Sequence, residues 1–350
     1  MKLKINRQEL IEKLNVLERA LPKRGYFAQL AGFHFNVADG VGTITTNNLD
    51  MGIQTSIEVD GEDGEIVLDN SLADIVEKLS GNEVSIEAGG NNAKVMCGKT
   101  KFTLQVLDVE EFPKPDEDYA GWAEVDFPGD SLKRLINKMA FCTSKDESKP
   151  VFKGIKFSPE NVTSSDTHRL AQLDVATGAD AIIPGKLMQE LAKIPHQDAK
   201  AYIGENRVVF FVGGYKVYLS LLNGKYPDMG NIVPEKSKTE VMTDKEQLLQ
   251  ILGRAAVIAK DHNKLIEVTI TQGLLKVEAR SDTGHVEDEM EVDVKGEEVD
   301  RIYLNLNYLQ EGVRSTEGDN VRIDFNGDVG PVIIKEADYI NLILPIKKEV

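Results

Sequence analysis

Asp130-Ser131-Leu132-Lys133-Arg134-Leu135-Ile136-Asn137-Lys138-Met139 sets Leu132, Ile136 and Met139 at i, i+4 and i+7 behind a polar start. Residues so spaced share one helix face, so the stretch predicts an amphipathic helix. The spacing occurs twice more, at Leu10, Leu14, Leu17 and at Leu248, Leu252, Ala255, the latter behind Thr243-Asp244. A second helix follows each first one, at Leu72, Val76, Leu79, then Leu187, Leu191, Ile194, then Leu309, Val313, Thr316. The offsets from first to second helix are 62, 55 and 61 residues. Near-equal offsets mark an internal repeat.

Each third closes on an alternating strand: Phe102–Val106, Val217–Leu221 and Ile340–Leu344, spaced by 115 and 123 residues. Alternation puts one side of each strand on a core and the other toward solvent. Further strand-like runs are Phe33–Val37, Val41–Thr45, Ile53–Val59, Arg207–Val212 and Leu274–Arg280. Two linkers, residues 108–118 and 223–238, carry Phe112-Pro113 and Tyr226-Pro227, 114 residues apart. Proline holds the residue before it extended, as a strap between domains requires. The reading is an α+β chain of three repeated domains, 1–117, 118–238 and 239–350, each with two helices packed on antiparallel sheets.

The 350 residues carry a formal charge of −17. That sum alone argues against a nucleic-acid binder, because phosphate repels carboxylate. Its distribution changes the argument. The six helical windows together carry +5, which leaves −22 for strands and loops. Acid concentrates at Glu287-Asp288-Glu289 with Glu291 and Asp293, and at Glu58–Glu65. A cationic helical surface beside an anionic remainder can attract DNA to one face and repel it elsewhere; the same lysines could also simply solvate their helices.

Motifs of chemistry are sparse. Gly98-Lys99-Thr100 resembles the end of a phosphate-binding loop, but position 93 is Ala93 where that loop needs glycine, and a strand follows instead of a helix. Ser165, Asp166 and His168 are neighbours in one short segment, which rarely converges into a nucleophile triad. His34, His168, His196, His262 and His285 are scattered without metal-ligand spacing. No catalytic residue, metal or cofactor is expected. Cys97 and Cys142, two lone cysteines, fit a reducing cytoplasm. No signal peptide and no membrane span is expected.

Ser165-Asp166-Thr167-His168-Arg169-Leu170-Ala171 resembles the T-D-x-H-R-L-A signature of the bacterial sliding clamps, the beta subunits of DNA polymerase III. The resemblance continues, in order, at Ile183-Pro184-Gly185-Lys186, Asn223–Asp228, Arg254-Ala255-Ala256 and the tail Leu342–Lys347. It is weakest in the first third, at Lys23–Leu30, and the tail runs on through Lys348-Glu349-Val350.

The resemblance implies a head-to-tail homodimeric ring around double-stranded DNA, without sequence preference and without catalysis. It further implies a replicative DNA polymerase, an ATP-driven clamp loader and other clamp-motif proteins as partners. The implied partner-peptide site comprises Lys149, Phe152, Ser165, Thr167, His168, Arg169, Leu170, Pro227, Ile232, Val329 and Pro331, with the tail Leu342, Ile343, Leu344, Pro345, Ile346 and Lys347. The implied DNA contacts are Arg24, Lys133, Arg134, Lys138, Lys145, Lys193 and Arg254. The implied dimer contact sets Phe102 and Leu104 against Val257 and Ile258. Two other classes remain open at this point: an acidic repeat scaffold that never encircles DNA, which would not be retained on circular duplex, and an enzyme with an unrecognised site, which would turn over nucleotide.

Overall fold

The computed structural model describes residues 1–22, 30–115, 118–260 and 264–347. Six α-helices occur among them: α1 Arg7–Leu17, α2 Ser71–Lys78, α3 Ser131–Met139, α4 Gly185–Leu191, α5 Lys245–Ile258 and α6 Leu306–Ser315. The helix faces follow the repeat. Leu10, Leu14 and Leu17 are buried, as are Leu132, Ile136 and Met139, and Leu248, Leu252 and Ala255. In α4 the phase differs by one residue: Met188 is buried and Leu187 only half-buried. Side-chain caps start α1, α5 and α6. Asn6 accepts from the Glu9 amide in α1, Asp244 from the Gln247 amide in α5, and Asn305 from the Asn307 and Tyr308 amides in α6.

Every strand pair among the described residues is antiparallel, and the strands form sheets of thirteen, nine and four. The chain separates into two compact units, residues 1–132 with 187–221, and residues 133–186 with 222–350. The central third therefore contributes to both. The cause is strand pairing between thirds. In the first unit Tyr215–Ser220, which closes the central third, pairs with Met51–Glu58 of the first, Gly52 lying opposite Tyr218. In the second unit Tyr339–Ile343, which closes the last third, pairs with Arg169–Asp174 of the central one.

In the second unit, α5 and α6 pack together over a core that includes Leu248, Ile251, Leu252, Leu309, Val313, Val332, Ile334 and Ile343. At ~1.5–3 kcal/mol for each fully buried large aliphatic side chain, this core is the main favourable term of that unit. The adjoining run Val332-Ile333-Ile334 splits by parity: Val332 and Ile334 face that core, whereas Ile333 faces the opposite side of the sheet. The sheet is apolar on both faces there, and both must be covered.

Candidate partner and nucleic-acid interfaces

The segment Ser165–Leu170 is held rigidly by its own polar side chains. The Ser165 hydroxyl donates to the Arg169 carbonyl at 2.8 Å and accepts from the Thr167 amide at 3.1 Å. The Asp166 carboxylate accepts the His168 and Arg169 amides at 3.0 and 3.1 Å. This local capping lets Thr167 adopt a φ of +77°, a region non-glycine residues rarely enter. Arg169 is almost wholly buried. Its guanidinium bonds Asp166 at 2.9 Å, Glu311 of α6 and the Phe141 carbonyl at 2.6 Å, and its centre stands 4.3 Å from the Tyr308 ring centroid. A buried guanidinium needs such partners, because an unpaired charge in that setting costs several kcal/mol (~3–5).

His168 remains exposed and stacks on Tyr308 with 6.4 Å between ring centroids. A cleft of about 370 Å³ opens here, lined by Lys145, Lys149, Thr167, His168, Tyr308 and Glu311 among others. The tail is pinned to the same loop. The Leu344 amide donates to the His168 carbonyl at 2.9 Å, and the Ile346 amide to the Tyr303 carbonyl at 2.8 Å.

Beside the cleft, Leu170 lies opposite Leu342, and Leu342 opposite Ile333. These three side chains form one row across three strands, packed by Met229, Val233 and Ile340. Exposed apolar residues stand close to this row along the chain: Ile232 at 44% beside Val233, Leu344 at 41% just past Leu342, and Val329 at 77% a few residues before Ile333. Exposed large aliphatics in neighbouring elements are a common mark of an interaction surface. Phe152 meets Tyr226 edge-on at 5.4 Å, Pro227 is exposed, and the Pro331 carbonyl accepts from Asn326. Pro345 and Ile346 are half-buried and Lys347 is exposed. Ile343 is completely buried in the core on the other face, so its side chain is not available to a partner. Ser165 is likewise buried and serves the loop.

Three models of one family tile the chain. The DNA polymerase III beta subunit N-terminal domain matches residues 1–116, its central domain 126–228 and its C-terminal domain 230–346. The chain belongs to the DNA polymerase III beta subunit family, the sliding clamps. The beta sliding clamp of Bacillus subtilis (strain 168) is 27% identical over 99% of this chain and 100% of its own. That of Staphylococcus aureus (strain Mu50) is 28% identical over 99% of each. The crystal structure of the Bacillus subtilis clamp superposes with a TM-score of 0.93 at 26% identity, covering 100% of both chains. That of the Pseudomonas aeruginosa beta subunit, at 22% identity, covers 99% of this chain and 100% of its own with a TM-score of 0.92 and shares the fold. As a sliding clamp the chain is a non-catalytic processivity factor that works with DNA and a DNA polymerase. Its fold is three clamp domains of helices and antiparallel sheets.

The cations assigned to DNA from the clamp resemblance fare unequally. Lys133 on α3 and Lys145 beyond its end are exposed. Lys193 is half-exposed and pairs with Glu190 at 2.7 Å, and Arg254, also half-exposed, pairs with Asp288. Arg134 is committed to Asp338 at 2.8 Å and Glu317 at 2.7 Å. Lys138 corrects the expectation outright. It is 1% exposed, paired with Glu336, and bonded to the Ser315 carbonyl at 3.2 Å. A lysine so enclosed cannot reach a phosphate; it joins the central third to the last. Arg24 lies outside the described residues, as do Lys348–Val350.

At the expected dimer contact, Phe102 is 38% exposed and Leu104 is buried in its own domain. Their strand, Thr100–Leu107, pairs with Asn92–Cys97 on one side, while only Val106 and Leu107 pair on the other. Residues 100–105 thus carry an open edge among the described residues. Val257 is 60% exposed and Ile258 half-buried. Gly284–Glu291, missed as an edge by sequence reasoning, ends the four-stranded sheet and packs against α5. Its acidic run was legible, but not its place at an edge. Met229, Val233, Ile333, Ile340 and Tyr308 were also missed; for Ile333 the unbroken apolar run Val332–Ile334 was the available signal.

No helix among the described residues is long and apolar enough to cross a membrane.

Proposed function

We propose that two copies close head to tail into a ring that encircles duplex DNA and tethers a replicative polymerase through the Leu170–Leu342 surface. Domain boundaries at 1–117, 118–238 and 239–350 give each ring six domains. The ring is opened by an ATP-driven loader and acts in the cytoplasm. The observation that carries the reading is the row Leu170, Leu342 and Ile333 beneath an exposed apolar rim, beside the cleft at His168 and Tyr308. Such a site suits a short extended peptide carrying a glutamine followed by leucine, with a terminal phenylalanine or leucine. Other clamp-motif proteins would share it.

Open strand edges supply the assembly argument. An unpaired edge invites another strand. Residues 100–105 of one copy are offered to Gly284–Glu291 of the next, which would bring Phe102 and Leu104 toward Val257 and Ile258. Lys99 precedes the first edge and Lys101 lies on it, whereas Glu287, Asp288 and Glu289 lie on the second, so the charges are complementary. A heterologous contact that closes on itself gives a ring.

Enclosure has a physical purpose. Non-specific electrostatic binding gives dissociation constants of ~10⁻⁴–10⁻⁶ M at physiological salt, too weak to hold a polymerase for long. A ring separates retention from grip. The test is retention: loaded protein should stay on nicked circular duplex and run off linear duplex of the same sequence. Equal loss from both would end the topological reading.

A further inference from the structure

We infer that Met229 and Val233, from the second linker, fill the place of a partner's aliphatic anchor in the peptide-free chain, so that peptide binding displaces them. The inference rests on the partner-site reading above and sets what that site will accept.

The starting observation is a mismatch between rim and floor. Ile232, Val329 and Leu344 are exposed, yet Leu170, Ile333 and Leu342 are only 2%, 4% and 1% exposed. The floor is already dry, and side chains of this chain keep it so: Met229 and Val233 from the linker, with Ile340 from the sheet itself. Ile340 belongs to the strand Tyr339–Ile343 and cannot leave without breaking the ladder. Met229 and Val233 lie on a segment with few such ties. Between Leu222, whose amide bonds Ile182, and Lys238, whose amide bonds Phe325, the one backbone-to-backbone bond among the described residues is local, from the Ile232 amide to the Met229 carbonyl. The linker is therefore held over the floor mainly by side-chain packing.

Packing of that kind can be exchanged for equivalent packing. Methionine suits the part, being unbranched, flexible and close to leucine in bulk. An incoming leucine would reach the floor only as Met229 withdraws. The net gain is then a difference between two apolar burials, which keeps affinity modest and exchange between partners fast. Removing the resident side chain removes one side of that difference and leaves a cavity for the ligand to fill.

The probes are two labelled hexapeptides, each with a glutamine followed by leucine, one ending in leucine and one in phenylalanine. They are titrated against the full-length protein and against Met229→Ala and Met229→Val, with assembly checked by mass. Met229→Ala should bind the leucine peptide about tenfold more tightly, the equivalent of ~1.4 kcal/mol. It should gain more still for the phenylalanine peptide, since the opened site is larger. Met229→Val, which keeps the linker apolar, should show a smaller shift in the same direction. In ¹³C-methyl spectra of the wild type, the Met229 signal should move to a solvent-exposed position at peptide saturation. Wild-type binding with unchanged or weaker affinity in both variants, or an unmoved Met229 signal, overturns the displacement while leaving the partner site standing. Absence of binding in wild type and variants alike overturns the partner-site reading itself.

Discussion

The Lys138 ammonium stands 4.4 Å from the centroid of the Tyr339 ring, and the Tyr339 hydroxyl donates to the Lys138 backbone carbonyl at 3.1 Å. One lysine on α3 is thus gripped twice by the closing strand of the last third. Glu336, at 18% side-chain exposure, balances its charge. Together with Arg134 on Asp338 and Arg169 on Glu311, it makes three cations of the central third that hold acids of the last. These cations fasten two domains, and their charge is not free for DNA.

Lys138→Met should therefore destabilise the protein. Breaking a buried pair while one partner stays buried costs ~3–5 kcal/mol. Lys138→Met with Glu336→Leu should recover much of that loss, since an apolar pair of similar volume can replace an ion pair. Urea unfolding of both variants checks this. DNA affinity of the folded single variant should match wild type.

The Arg134 guanidinium holds the Asp338 carboxyl below its ordinary value through a direct hydrogen bond. The sign follows from linkage. A depressed folded pKa adds stability that is fully present above the unfolded value, near 3.8, and is lost as pH falls through the lower folded value. The difference in stability between wild type and Asp338→Asn should therefore be present at neutral pH and shrink below about pH 4. A difference that does not shrink at all as pH falls below about 4 would show that Asp338 acts by packing instead of charge.

Lys133 is exposed on α3 and has no ion-pair partner among the described residues, which makes it the clearest test of the DNA assignment. Lys133→Glu should weaken direct binding to duplex about equally for any sequence. The slope of log affinity against log salt should fall by about one for each phosphate the protein no longer neutralises. An unaltered slope would remove α3 from the DNA-facing surface.

Leu170→Asp should abolish binding of the leucine peptides, because it places a carboxylate under Met229 and Val233 at a cost of several kcal/mol. Deleting residues 344–350 should do the same by removing the tail that bonds the His168 and Tyr303 carbonyls. Mass in solution should stay at about 77 kDa, twice 38.7 kDa. Peptide affinity equal to wild type in both variants would reject the site.

Phe102→Asp should shift the protein toward monomer in light scattering at micromolar concentration, since a charge would replace an exposed aromatic beside the open edge of residues 100–105. Peptide affinity per chain should be unaffected. A dimer as stable as wild type would move the contact elsewhere.

The sequence by itself determined the threefold α+β plan, because amphipathic helices and alternating strands are local patterns and repeat visibly. It also marked Leu170 and Leu342, although 172 residues separate them, through the family's ordered motifs. Tertiary structure alone decided what those motifs do in place. Arg134 and Lys138 lie on the same helix as Lys133 and look alike in sequence, yet helical phase turns Lys138 inward toward Glu336, whose position depends on a strand pairing some 200 residues away. Met229 and Val233 read as ordinary linker residues, because nothing local shows which sheet face a strap will cover. Charge and periodicity are written along the chain, but burial is a property of what comes to lie opposite, and that is settled only when distant strands pair.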